Sequence, residues 1–138
     1  MQNNNDGTKN TLNFTASAKS QYVPGFYEGT LTFDTVKATV AADATTVDVT
    51  NGPGEYQLTD GTAAAVNLTD LVNGSHGDVI TLLGSGGTYP SVVQASQAKF
   101  EMKDGADWTA LAGSAITFKG FKNGATAADI LWIELSRS

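Results

Sequence analysis

Asp107-Trp108-Thr109-Ala110-Leu111-Ala112-Gly113-Ser114-Ala115-Ile116-Thr117-Phe118-Lys119 is followed, after a Gly-containing turn, by Ile130-Leu131-Trp132-Ile133-Glu134-Leu135-Ser136-Arg137-Ser138. Both runs alternate apolar and polar residues around a polar connection, the pattern of paired β-strands. The second run ends the sequence, so the pattern predicts a small all-β module closed by its own last strand.

Working outward, residues 31–33, 36–40, 45–50, 56–58, 64–68, 78–83, 91–94 and 99–102 repeat the alternation. Asn51-Gly52-Pro53-Gly54, Asp60-Gly61, Asn73-Gly74 and Gly84-Ser85-Gly86-Gly87 separate them, supplying positive φ, fixed φ and missing donors where strands must stop. Asp104-Gly105 and Asn123-Gly124 are dipeptides that favour tight hairpins. No stretch carries a helical apolar stripe for three turns; single helical turns are expected at most, at residues 68–72 and 125–129. Short strands at roughly 8 to 12-residue spacing predict an antiparallel β-sandwich or a jelly-roll-like small barrel. A β-solenoid competes, but the fixed repeat that marks one is missing.

The 138 residues suit one core. Residues 1–30 read as a flexible N-terminal arm, an attachment segment, because they open on the polar run Met1-Gln2-Asn3-Asn4-Asn5-Asp6-Gly7; residues 31–138 read as the β-domain. Thr and Ala number 18 each, which gives small side chains, a thin core and a preference for burying more surface in an assembly. With no cysteine there is no disulfide, thiol nucleophile or thiolate metal site. The start lacks the basic and apolar regions of a secretory signal, so synthesis and retention in a cytoplasm are expected.

Charge placement is more informative than the net value of −6. No Lys or Arg lies between Lys37 and Lys99, whereas Asp43, Asp48, Glu55, Asp60, Asp70 and Asp78 do. An acidic middle argues against nucleic acid and against an anionic membrane, both of which need clustered cations.

The search for chemistry gives little. The sole histidine, His76, sits beside Ser75 and near Asp78, but neighbours on one turn rarely converge on a reacting atom. Asp43 with Asp48, and Asp104 with Asp107, are carboxylate pairs in turn contexts, where Asp commonly bonds its own backbone. They offer oxygens to calcium, yet no complete loop with spaced acids ending in Glu is present. Gly84-Ser85-Gly86-Gly87-Thr88 lacks the lysine and following helix of a phosphate loop. No catalytic residue, metal or cofactor is therefore expected. Trp108 and Trp132 alternate with apolar neighbours as core residues do, with Trp108 and Tyr89 the candidates for a sugar-stacking platform. Tyr22, Pro24, Phe26 and Tyr27 crowd three aromatics around a turn near the polar start and are the candidate partner-binding residues.

Gly77-Asp78-Val79-Ile80-Thr81-Leu82-Leu83-Gly84-Ser85-Gly86-Gly87, then residues 108–118, then Trp132-Ile133-Glu134-Leu135-Ser136-Arg137, together resemble segments recurring in tailed-bacteriophage virion structural proteins. There a G-D-x-I-T-L strand, a Gly loop, an A-G-S-x-I-T-F strand and a closing W-x-E-L-S-R strand belong to head decoration (auxiliary capsid) proteins, head fibres and fibre-linked β-domains, crAss-like phages among the sources. The likeness spans residues 77–138. It implies synthesis in a host cytoplasm, a place on the capsid surface of the virion, and the major capsid protein lattice as partner, with self-association as a trimer. Alternatives are a trimeric head or tail fibre module and a carbohydrate-binding adhesion sandwich.

Overall fold

The structure is a computed structural model that describes residues 9–12, 31–34, 38–50, 54–126 and 129–138. The chain divides into two compact units, Met1–Val36 and Lys37–Ser138, six residues past the expected end of the arm. In the first unit, β1 (Lys9–Leu12) pairs antiparallel with β2 (Leu31–Asp34), Lys9 opposite Asp34.

The second unit holds the remaining strands: β3 (Ala38–Thr39), β4 (Thr46–Asp48), β5 (Glu55–Gln57), β6 (Asn67–Leu68), β7 (Asp70–Val72), β8 (Val79–Leu83), β9 (Val92–Val93), β10 (Phe100–Glu101), β11 (Trp108–Thr109), β12 (Ala115–Lys122) and β13 (Ile130–Arg137). A six-stranded sheet runs β10-β13-β12-β8-β5-β3; β11-β9-β6 and β4-β7 form two smaller sheets. The fold is all-β, and among the described residues the helical structure is one 3₁₀ turn, Lys103–Gly105. Residues 68–72 are extended, not a helical turn, because Leu68 and Leu71 enter the core from strands paired to β9 and β4.

The expectation of antiparallel sheets is corrected. Five of the nine described strand pairings are parallel. From β3 to β12 the chain passes back and forth between the six-stranded sheet and the smaller ones, and β5, β7, β8 and β9 each return parallel to an earlier strand, whereas β11 and β12 return antiparallel. Four of the parallel pairings join Ala38 with Tyr56, Thr46 with Asp70, Glu55 with Thr81 and Asn67 with Val92, displacements of 18, 24, 26 and 25 residues, and the fifth joins Phe100 with Trp132. The sheets are therefore mixed, and no sequence repeat accompanies the returns. Each pass contributes only one or two inward apolar residues, and the loops between passes differ in length, so no period is imprinted on the sequence.

The long strands β12 and β13 form the expected closing hairpin. On the inner side of the hairpin Phe118 lies opposite Glu134 and Gly120 opposite Trp132, with Ile116 and Ile130 also buried, the period-two burial of a half-covered sheet. The buried side chains of all three sheets of this unit meet in one cluster, in which Phe100 and Phe118 pack with ring centres 5.1 Å apart. Asn123-Gly124 does not make a two-residue turn. It opens a longer loop closed by Asp129, whose carboxylate accepts the Thr126 N–H and hydroxyl at 3.0 and 2.8 Å. Asp104-Gly105 makes the 3₁₀ turn, with φ of 60° and 62°, between strands that pair with other partners.

Candidate functional site

The Asn73–Asp78 turn carries the histidine and lines the described depressions of the β-domain. Asn73 adopts φ 63°, and its side-chain amide donates to Asp48 Oδ1 at 3.1 Å. Gly74 follows because a Cβ there would lie 2.5 Å from the buried Trp132 ring. The Ser75 N–H donates to Asp78 Oδ2 at 2.7 Å, and the Lys122 N–H donates to His76 Nδ1 at 3.2 Å. Ser75, His76 and Asp78 are thus neighbours whose bonds diverge. Asp78 holds the turn closed, while His76 ties it to the end of β12 and meets Phe121 edge-on at 5.5 Å.

The carboxylate pairs are separated in the same way. Asp43 accepts the N–H and hydroxyl of Thr62 at 2.9 and 2.6 Å, whereas Asp48 accepts those of Thr50 at 3.0 and 2.7 Å. These hydrogen bonds hold both carboxyls below the ordinary carboxylate range. Asp107 accepts the Ala95 N–H at 2.8 Å, while Asp104 sits on the 3₁₀ turn. Among the described residues, no three His, Cys, Asp or Glu side chains gather in a metal-ligating group.

The Gly-rich loop is also clasped by a carboxylate. Asp60 accepts the N–H groups of Thr88 and Tyr89 at 2.9 and 2.8 Å. Gly84 and Gly86 donate to the carbonyls of Ser114 and Ala110 at 2.8 and 3.0 Å. Donors that would cradle a phosphate are engaged within the chain, and Gly87, at φ 105°, leaves room for the Asp60 side chain.

The sugar-platform expectation needs correction at Trp108. Tyr89 is exposed, but Trp108 is 4% exposed and belongs to the core cluster, so its ring faces are covered by neighbouring side chains. Trp132 is fully buried and donates its indole N–H to the Leu71 carbonyl at 3.1 Å. Tyr22, Pro24, Phe26 and Tyr27 lie outside the described residues.

Two adjoining depressions share Thr50, Asn73 and Ser75. One, of about 260 Å³, is completed by Gly54, Asp78 and Val79; the other, of about 590 Å³, by Asp70, Leu71 and Ile130. Burial pushes the Asp70 carboxyl up, and the nearby Lys99 charge partly offsets it.

Sequence reasoning missed the most buried charge among the described residues. Glu134 is 7% exposed, pairs with Arg137 and accepts the Lys103 N–H at 2.8 Å. The signal was present in the alternation, since residues 130, 132 and 134 share the inward side of β13. No protein-family model matches the chain, and no curated protein sequence is significantly similar to it.

Proposed function

We propose that this chain is a virion structural protein of a tailed bacteriophage, an auxiliary capsid (decoration) protein that binds the assembled head and stabilises it. The observation that carries this reading is the division into a short N-terminal unit and a separate β-domain, which suits a segment that docks and a body that stands outward. Residues 1–30, with Tyr22, Pro24, Phe26 and Tyr27, provide the contact with the major capsid protein, since aromatic side chains are the favoured anchors of interfaces. The β-domain closes as a two-layer sandwich with mixed sheets on the outside of the shell. Two further features support a role exercised through surface contact: most of the aspartates singled out from the sequence are taken up by backbone N–H groups, and the middle of the chain is acidic.

The mechanism is linkage. Each copy binds the assembled lattice and not the free capsid subunit, so the shell gains stability with every occupied position. The test is to add the purified full-length chain to expanded heads that lack it. Electron microscopy should show added density at symmetry-related positions, and the heads should withstand a higher temperature before rupture. A lattice without added density overturns the reading. The variant Tyr22→Ser/Phe26→Ser should lose binding while its β-domain melts as the parent does.

A further inference from the structure

The outer side of the six-stranded sheet carries a pattern that complements itself. With Ile130, Trp132 and Glu134 turned into the core, β13 turns Leu131 and Ile133 outward. Leu135 is the extra residue where the pairing with β12 shifts register, and it is 51% exposed. In the row through Ile133, Lys119 of β12 lies on one side and Glu101 of β10 on the other. Val79 of β8 extends the row beyond Lys119, and Phe121 lies across from Leu131. Lys119 Nζ stands 5.6 Å from the centre of the Phe121 ring, which steadies the cation on this face.

One apolar strand is therefore flanked, one inter-strand spacing to either side, by charges of opposite sign. We propose that this face is a twofold self-association surface and that its occupant is a second copy of this chain. With the symmetry axis running along β13 between two stacked sheets, Lys119 of each copy lies over Glu101 of the other. Leu131 and Ile133 then stack on their own counterparts. Such an isologous contact needs a patch that is complementary to itself under the rotation, and the Glu101-Ile133-Lys119 row meets that condition. Stacked sheets lie about 10 Å apart, a gap that a lysine and a glutamate reaching from opposite sides can bridge.

Area sets the strength. The strands that overlap under this rotation, β10, β13 and β12, hold 2, 8 and 8 residues, and at about 3.3 Å per residue and about 4.8 Å between strands they present roughly 300 Å² per copy. About 600 Å² for both copies lies below the roughly 1,000 Å² of a stable specific interface, so the dimer is weak and depends on concentration.

Sedimentation velocity of the full-length chain, from low micromolar to submillimolar, tests the proposal. The mass should rise from one chain to two, and added salt should oppose the rise. K119E and E101K should each weaken association roughly tenfold or more, because each reverses two cross-copy pairs. The double swap K119E/E101K should restore it. Circular dichroism should show all three variants melting near the parent, since Glu101 is exposed and Lys119 lies on the outer side of the sheet, outside the core. A mass of one chain at every concentration, a mass of three, single variants that associate like the parent, or a double swap that fails to restore association would each overturn the proposal.

Discussion

Arg137 pairs with Glu134, three residues back along the last strand, and fastens that strand to the 3₁₀ turn. Its guanidinium also donates to the carbonyls of Lys103, Ala106 and Asp107 at 3.3, 3.1 and 3.2 Å. A buried carboxylate is costly unless it is paired and hydrogen-bonded. Here the arginine and the Lys103 N–H together meet that requirement, and the strand and the turn are held by one network.

Removing the acid should therefore loosen both elements. Glu134→Ala leaves Arg137 facing carbonyls without its counter-charge and is expected to cost about 2–3 kcal/mol, less than for a fully enclosed pair because the arginine reaches solvent. Glu134→Gln, which retains the shape, should cost about half of that. Thermal unfolding followed by circular dichroism measures both, with a midpoint roughly 10 °C lower for the alanine variant.

The same pair sets an acid limit. The Arg137 hydrogen bond holds the Glu134 carboxyl below the ordinary glutamate range, against the upward push of burial. A depressed folded-state pKa gives stability that is fully present above the unfolded value, about 4.3, and is lost as pH falls through the folded value. Asp70 acts in the opposite sense. Burial raises its folded-state pKa, so its contribution is greatest below the unfolded value and is lost as pH rises. Asp70→Asn should therefore raise the melting midpoint at neutral pH, by less than about 1 kcal/mol of stability, and have no stabilising effect in acid. Melting curves from pH 3 to pH 8 (about the range in which carboxylates titrate) check both signs.

Two glycines should respond differently to alanine. At Gly74 the added methyl meets the Trp132 ring, which is buried and cannot move aside, and about 1–3 kcal/mol is expected to be lost. At Gly113, φ is 78° but the space is open, so only the backbone penalty of about 1 kcal/mol applies. Urea denaturation of the two variants should rank them in that order.

The tryptophans also differ in their hydrogen bonding. Trp132 donates to Leu71, whereas the Trp108 indole N–H, also buried, has no partner among the described residues. Trp132→Phe should cost about 1–2 kcal/mol more than Trp108→Phe, the value of one buried hydrogen bond and the acceptor it leaves behind. Equilibrium unfolding compares them directly; equal losses would show that the Leu71 bond contributes nothing.

By itself the sequence determined the all-β class and the closing pair of strands. Alternation within residues 107–119 and 130–138 is a local property of side chains on a pleat, and it identified the closing hairpin and Trp132 as a core residue. Strand partnership was decided only by the tertiary structure. Whether Glu55 pairs with a neighbour in sequence or with Thr81 depends on which layer the intervening chain crosses, and nothing in a two-residue period records that. The roles of the aspartates likewise follow from contacts made across the fold: Asp60 clasps residues 28 and 29 positions away. Short-range patterning is encoded along the chain, but parallel pairing and loop clasps arise when distant segments share one core, and those contacts exist only once it has closed.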